Sequence, residues 1–188
     1  MAGKPKIKIM VASTVYHFQT DLEQICAELK GFGYQVMNSH IGTIRSLGND
    51  PTQACLQAVD ECDFFLGVIL PFYGSGITHQ EIQRAIAVDK PRCFLAHRDV
   101  TVARKLFEQY MYTNIPARTK NPAFNFRRTS VMDDIRVIDM YNEAIQDAHP
   151  ITNRRWAHEF TKYHLDGAPY IKTQFSDVTV VRNFIANY

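Results

Sequence analysis

The stretch DFFLGVIL, residues Asp63–Leu70, is apolar at almost every position. A strand with one face in water alternates apolar and polar residues, whereas a strand buried on both faces is apolar throughout. Burial on both faces is typical of the centre of a parallel sheet that helices cover on either side. The stretch therefore predicts a central strand of an α/β protein.

Strand and helix patterns alternate around this stretch through the first hundred residues. Leu22, Ile25 and Leu29 form one helical stripe, and Asp50 followed by Pro51 is a typical helix start. Such alternation predicts a doubly wound, mostly parallel sheet with strand order 2-1-3-4 and right-handed crossovers. The four predicted strands are Lys6–Ala12, Tyr34–Ser39, Asp63–Leu70 and Arg92–His97.

The pattern changes after residue 100, where helical spacing and polar loop residues replace the alternation. We expect a core over residues 1–110 and a C-terminal loop and helical layer over 111–188, packed on the same domain. The loop NIPARTKNPAFNFRRTS is polar, contains prolines and has room for a short edge strand. The predicted helices of this part are VTVARKLFEQYMY, VMDDIRVIDMYNEAIQD, RRWAHEF and SDVTVVRNFIAN.

Composition excludes several classes of protein. The chain has 188 residues, of which 46% are hydrophobic and 21% charged, as in an ordinary globular protein. No apolar run reaches the roughly 18 residues of a membrane span, and no signal peptide is visible, so we expect a cytoplasmic protein without a membrane partner. A net charge of +2 argues against nucleic acid as the main partner. The four cysteines lack metal-ligand spacing, so we expect reduced thiols and no metal site.

Two loops follow the first and third predicted strands, which are neighbours in the expected order. In such sheets ligands bind beyond the carboxyl ends of the strands, where the strand order reverses. The loops are STVYHF, Ser13–Phe18, and PFYGSGIT, Pro71–Thr78. Gly74 and Gly76 would let the backbone approach a ligand closely, and the following helix N-terminus favours an anionic group. The pattern is neither a P-loop nor the dinucleotide-binding glycine motif.

Glu81, early in the helix after the second loop, has two explanations. In the first, Thr78 and Glu81 form a capping box in which the glutamate stabilises the start of the helix. In the second, the carboxylate stabilises or attacks the oxocarbenium-like centre that forms when an N-glycosidic bond breaks. The neighbouring His17 and His79 are predicted to be exposed loop histidines. Pattern alone favours the cap, because capping boxes are common.

A resemblance adds to these observations. The segments IMVASTVYHFQTDLEQICAELKGFGYQV and ACLQAVDECDFFLGVILPFYGSGITHQEIQRAIAVDKPRCFLAH resemble a bacterial domain of unknown function, of the 4062 type. The resemblance covers roughly residues 7–98. It rests on a strand ending in Ser-Thr, a "CD-hydrophobic-x-G" strand, a Tyr-Gly loop, a helix with a glutamate and a following Lys-Pro. That family is often the N-terminal module of defence-type NTPase proteins, and it is similar to TIR domains and to nucleoside 2-deoxyribosyltransferases.

The resemblance implies a flavodoxin/TIR-like fold and a set of site residues. In both relatives a glutamate early in the helix after a central strand acts on an N-glycosidic bond, and Glu81 is the matching residue here. His79 and Gln80 stand where TIR domains usually carry Trp-Cys. The expected catalytic residue is Glu81, and the expected ligand-binding residues are Ser13, Thr14, Tyr16, Phe72, Tyr73, Gly74, Ser75 and Gly76.

The first functional hypothesis is a TIR-like enzyme that cleaves or transfers at an N-glycosidic bond of NAD or a related nucleotide, in bacterial defence or signalling. The alternative is a non-catalytic module of the same fold that senses a nucleotide or assembles with a partner. A nucleoside deoxyribosyltransferase is a further alternative. No cofactor is required in any of the three. The expected partners are a nucleotide ligand and either further copies of the chain or another protein of a defence system.

Overall fold

The computed structural model describes residues 5–45, 47–48 and 50–188. Five parallel strands form the main sheet in the order β2-β1-β3-β4-β7, and two antiparallel strands, β5 and β6, form a small second sheet. The central strand is fully buried, which confirms the prediction from its apolar run. The strands are β1 (Lys8–Ser13), β2 (Gln35–Met37), β3 (Phe64–Ile69), β4 (Arg92–His97), β5 (Tyr112–Asn114), β6 (Thr119–Lys120) and β7 (Ala157–Phe160).

Helices cover both faces of the main sheet, as the doubly wound prediction requires. Helices α1, α6 and α7 pack on one face, and α2, α3, α4 and α5 pack on the other. The predicted order 2-1-3-4 is confirmed. The helices are α1 (Gln19–Gly31), α2 (Pro51–Glu61), α3 (Ile77–Ala87), α4 (Arg98–Met111), α5 (Arg136–Ala144), α6 (Ala168–Phe175) and α7 (Val178–Ala186), with a 3₁₀ turn at Ile151–Asn153 and a π-helical turn at Tyr163–Gly167.

The start of α2 follows the sequence prediction. The Asp50 carboxylate accepts a hydrogen bond of 2.9 Å from the backbone N–H of Gln53, and Pro51 occupies the first helical position. This cap satisfies one of the N–H groups that have no partner inside the helix. It fixes where α2 begins, and therefore places Cys55 in the second turn of the helix.

The prediction of a helix at RRWAHEF is wrong, because this segment contains the edge strand β7. Ala157 and Phe160 are buried, whereas the two residues between them are more exposed. The strand pairs in parallel with β4, and the ring of His158 stacks on Tyr170 at 4.4 Å between centroids. A seven-residue helix has little stability of its own, so pairing with an existing strand outweighs it. The result is a fifth strand and a further loop at the carboxyl edge.

The rest of the C-terminal part follows the predicted pattern more closely. Of the predicted helices over residues 131–147 and 176–187, the second is confirmed as α7, whereas the first is shorter than predicted and forms α5 only over Arg136–Ala144. The short strand β6 lies in the polar loop and pairs with β5, which ends where that loop begins, and not with the main sheet. Across the described ranges, no helix combines the length and the apolar character needed to cross a bilayer.

Replacing Gly67 with alanine is expected to destabilise the protein by about 1–3 kcal/mol, because overfilling a packed core forces neighbours to move. A Cβ at this position in β3 would lie 2.7 Å from Cδ1 of Phe94, in the middle of the sheet. Urea unfolding of the purified variant measures the loss. Gly31→Ala is the control, since within the described chain no atom beyond its own helix backbone and its two neighbours lies within 4 Å of its Cβ position, and we expect it to change stability little or to raise it. Equal midpoints for the two variants would contradict this packing.

Candidate functional site

The loops after β1 and β3 meet at the carboxyl edge of the sheet. Ser13 at the end of β1 lies opposite Val68 of β3, so the loops that follow these two strands leave the sheet side by side. A Cβ on Gly74 would lie 3.0 Å from the ring of Tyr16 and 3.6 Å from Cγ2 of Thr14. The structure therefore brings together residues of the two loops that were predicted to bind a ligand.

The glycines of the second loop serve the loop's own packing in this structure. Gly76 has a φ of 78°, and a Cβ there would lie 2.8 Å from the ring of Tyr73. Gly74 also has a positive φ, 58°, and faces Tyr16 in the same way. Only glycine adopts this backbone without strain, so the loop can fold tightly over two aromatic rings.

The capping-box explanation of Glu81 is wrong. Helix α3 begins at Ile77 with Gly76 as its N-cap, and no side chain caps it. Thr78 lies inside the helix and is buried, so it cannot exchange hydrogen bonds with Glu81 as a cap would. Glu81 is only 4% exposed and lies five residues into the helix, facing α2. The helix start therefore does not explain why a carboxyl is buried here.

Burial raises the pKa of Glu81 to about 7, and a hydrogen bond with the Cys55 thiol lowers it only in part. Burial likewise raises the pKa of Cys55 to about 12, with further contributions from the charge of Glu81 and its hydrogen bond. Ser39, just after β2, hydrogen-bonds the same thiol. Among the described residues no cation pairs with Glu81. Its carboxyl is thus held between protonated and ionised forms near neutral pH, a state typical of reactive carboxyls.

Two hydroxyl groups lie at the end of β1. Ser13 donates a 2.8 Å hydrogen bond to the carbonyl of Thr14, and its side chain is half-buried. Thr14 is 8% exposed, and its Oγ1 has no hydrogen-bond partner in the described chain. A buried hydroxyl without a partner costs free energy, and a ligand hydroxyl or water would remove that cost. Thr14 is therefore a fitting ligand contact.

Tyr73, in the loop after β3, is the first member of a chain of hydrogen bonds that leads to α3 and α5. Its hydroxyl lies 2.9 Å from Nδ1 of His79, and Nε2 of His79 lies 3.0 Å from the carboxylate of Glu143. Because an ionised carboxylate only accepts, this network assigns the proton to Nε2 of His79 and makes Tyr73 the donor to Nδ1. His79 is 7% exposed, so the prediction of an exposed histidine is wrong.

A second set of contacts ties the same loop to the segment before α5. The carboxylate of Asp133 accepts hydrogen bonds from the backbone N–H groups of Tyr73, at 2.7 Å, and Gly74, at 3.2 Å. The guanidinium of Arg136 lies over the ring of Tyr73, 4.3 Å from its centroid. The loop that the sequence assigned to a ligand is therefore held by the C-terminal half of the chain.

A cavity of about 440 Å³ opens at the carboxyl edge between the loops after β1, β3, β4 and β7. Of the nine predicted site residues, Tyr16 and Phe72 line it, and Glu81 does not. Ser75 is exposed at the second loop. The remaining walls come from α1, from the ends of β4 and β7, and from the loop before α5; among them are Asp21, His97, Asp99, Val131, Lys162 and His164.

Sequence reasoning missed the contribution of the chain around residue 162 to this cavity. Because RRWAHEF was assigned to a helix, the residues after it were not placed at the carboxyl edge. Ala157 and Phe160 are buried on opposite faces of the sheet, and their spacing of three residues gives no signal for a strand. Among the described residues no group of three or more His, Cys, Asp or Glu side chains is arranged to hold a metal ion.

Comparison with known proteins supports the family and the fold. The family model described as "Domain of unknown function (DUF4062)" matches residues 8–155. A structural relative is the set of TIR domains of the activated Roq1 resistosome, which directly recognizes the pathogen effector XopQ. Its TM-score is 0.55 at 14% identity, covering 92% of this chain and 99% of that one. A conserved protein from Enterococcus faecalis V583 has a TM-score of 0.48 and 12% identity, covering 90% of this chain and 99% of that one.

No curated protein gives a match. Identity of 14% to the Roq1 TIR domains is evidence of a shared fold and not of a shared activity. The family match spans most of the chain, from the first strand to the residues just before β7. The chain therefore belongs to the family described as a domain of unknown function (DUF4062), and its fold is TIR-like.

Proposed function

We propose that this domain cleaves or transfers at the N-glycosidic bond of NAD or a related nucleotide, with Glu81 as the reacting carboxylate. One observation carries the proposal: a carboxyl with 4% exposure and a pKa of about 7, whose hydrogen bond within the described chain is to a thiol. Burying such a group costs free energy of folding when it is ionised, and the helix start does not need it. Groups of this kind are concentrated at sites of chemistry.

The chemistry follows from the charge that the carboxylate carries. As the bond between the anomeric carbon and the base nitrogen breaks, its electron pair leaves with the base and positive charge grows on the sugar. The ionised Glu81 either stabilises that charge or bonds to the anomeric carbon, and water or a second acceptor completes the transfer. A weakly solvated carboxylate acts more strongly on the developing charge than one in bulk water.

Access to Glu81 requires a change from the closed arrangement. The Cys55 thiol occupies one side of the carboxyl, and Ser39 holds that thiol. Thr14, whose hydroxyl has no partner within the described chain, lies in the loop after β1 and is available to the ligand that enters. We propose that nucleotide binding displaces the Cys55 contact and exposes the carboxyl only when substrate is present, which also limits competing reactions with water.

Incubation with NAD and, separately, with deoxynucleosides, followed by mass spectrometry, tests this function. We expect release of the free base, and the substrate that releases it identifies the reaction. Intact substrates after prolonged incubation with folded protein, at micromolar enzyme, would contradict the proposal.

A second candidate function is a nucleotide-sensing or assembly module that does not cleave its ligand. The cavity at the carboxyl edge favours it, because Tyr16 and Phe72 line that cavity and Glu81 does not. The TIR domains of the Roq1 resistosome belong to an assembled complex, and we include self-association of this chain in the same proposal. Nucleotide binding without base release, together with a ligand-dependent change in mass by light scattering, would favour this candidate over the enzyme.

A further inference from the structure

The cavity at the carboxyl edge combines an apolar floor with polar groups that the fold does not use. Leu70 and Phe160 are fully or almost fully buried below it, and Phe72 forms part of its wall. The Asp21 carboxylate and the Lys162 ammonium line it without making a hydrogen bond within the described part of the chain. Cavities of about 300–1,000 Å³ with apolar walls and a few polar groups are typical of small-molecule sites.

Aromatic side chains stand at the mouth of the cavity. The rings of His17 and Phe72 contact each other, with centroids 5.3 Å apart at an angle of 51°. His17 has a φ of 60°, a left-handed backbone that is uncommon for residues other than glycine and costs free energy. The ring of Tyr16, next to it, is 60% exposed. Exposed, fixed aromatic faces bind flat heterocycles by stacking.

The charges around the cavity distinguish between classes of ligand. Two carboxylates, Asp21 and Asp99, line it with one ammonium, Lys162, and Oδ2 of Asp99 lies 3.4 Å from Nδ1 of His97, one of three histidines in the lining. The backbone N–H groups of Thr161 and Lys162 are bound by a further carboxylate, Asp166, at 3.0 and 3.4 Å. A phosphate would therefore lie near two carboxylates and would find these backbone donors occupied. The lining suits a ligand that is neutral or cationic.

Sugar hydroxyls are the natural partners of the free carboxylate. Asp21 lies in the first turn of α1 and is partly exposed to the cavity, so its oxygens can accept two hydrogen bonds from a diol. His97 is less available, because its ring nitrogens already contact the N–H of Asp99, at 3.2 Å, and the carbonyl of Thr161, also at 3.2 Å.

We propose that this cavity binds an N-ribosyl heterocycle with a neutral or cationic base, stacking the base on His17 and Phe72 and holding the ribose hydroxyls at Asp21. The choice of ligand class rests on the proposed function, but the binding itself does not need Glu81, which lies outside the lining. The cavity is thus a recognition site for a nucleoside part of the ligand other than the one whose N-glycosidic bond reacts at Glu81, since the two places are separate.

Binding is measured by calorimetry on the full chain carrying Glu81→Gln, so that turnover does not disturb the titration. The probes are adenosine, with a neutral base, nicotinamide riboside, with a cationic base, and ribose 5-phosphate, which has a phosphate and no base. We expect saturable binding of both nucleosides and at least about ten-fold weaker binding of ribose 5-phosphate, because it lacks the stacking ring.

Two further variants in the same background locate the binding. Asp21→Asn keeps the size of the side chain and removes the charge, and Phe72→Leu keeps an apolar group and removes the stacking face. We expect each to weaken nucleoside binding about ten-fold. Glu23→Gln, an exposed carboxylate on the same helix that contacts His40 instead, is the matched control and should leave the affinity unchanged.

Each outcome decides one question. Failure of the nucleosides to bind, tighter binding of ribose 5-phosphate, or wild-type affinity in both Asp21→Asn and Phe72→Leu would overturn the cavity proposal. If the nucleosides bind as expected while the wild-type chain releases no base, the cavity proposal stands and the enzymatic function fails. If the wild-type chain releases base and both cavity variants keep its KM, the enzymatic function stands and the cavity proposal fails.

Discussion

Replacing Glu81 with glutamine is expected to lower the rate of base release by about a hundredfold or more. Glutamine keeps the shape of the side chain but carries no negative charge to face the oxocarbenium-like centre, and removing one preorganised electrostatic partner costs about 10²–10³ in rate. The carboxyl is 4% exposed, so water cannot readily replace it in the closed site. Base release by the variant and the wild-type chain is compared by mass spectrometry under the same conditions.

Glu61→Gln is the control for this comparison. Glu61 is an exposed carboxylate at the end of α2, so the variant removes a negative charge from the protein without touching the buried site. We expect wild-type rates from Glu61→Gln. Full activity in Glu81→Gln would exclude the carboxylate from the chemistry, and an equal loss in both variants would assign the effect to overall charge.

The same substitution is expected to change how stability depends on pH. The pKa of Glu81 is about 7 in the folded protein, above the ordinary value of 4.5, so the folded state holds this proton more tightly than the unfolded state. The contribution of Glu81 to the free energy of unfolding of the wild-type protein is therefore fully present below pH 4.5 and is lost as the pH rises through about 7. Over that window the loss amounts to about 3 kcal/mol, from about 1.4 kcal/mol for each unit of pKa.

Glutamine at this position does not titrate, so the variant should gain stability relative to wild type as the pH rises. Urea unfolding at pH 4.5 and pH 8 gives the difference between the two proteins at each pH. Comparing these differences removes any constant effect of packing an amide against Cys55. We expect the variant to gain about 3 kcal/mol relative to wild type between the two conditions, whereas Glu61→Gln should show no such change. A constant difference at both pH values would mean that Glu81 is not held neutral by burial.

The sheet was predictable because its strands carry strong local patterns. Two-sided burial of β3 forces an apolar run, and the parallel order follows from the alternation of strands and helices. The edge strand β7 was not predictable in the same way, since four residues with an ordinary composition pair only because β4 offers an open edge. Because this strand was not predicted, Lys162, which follows it, was absent from the expected site residues.

The start of α3 shows a second limit of local patterns. Thr78 and Glu81 have the spacing of a capping box, yet Gly76 caps the helix because the chain turns tightly over Tyr73. The pattern holds no information about this turn, which depends on packing against Asp133 and Arg136, far along the chain. The sequence located the important glutamate, but only the tertiary structure separates a cap from a buried carboxyl.

Some of the site residues could be placed from the topology of the sheet, and others could not. Thr14, Tyr16 and Gly74 meet because β1 and β3 are neighbours, which topology alone requires. The cavity and the buried Glu81 are distinct places at one edge of the sheet, and this separation depends on which face each loop turns toward. Spacing along the chain does not carry that information.

The pH dependence of kcat/KM for base release from the cleaved nucleotide reports whether Glu81 reacts in its ionised form. If the ionised Glu81 acts on the N-glycosidic bond, the rate should rise about ten-fold between pH 6 and pH 8, with an apparent pKa near 7. A rate that is already constant above pH 5, or no base released at any pH, would contradict the assignment of the reaction to this buried carboxyl.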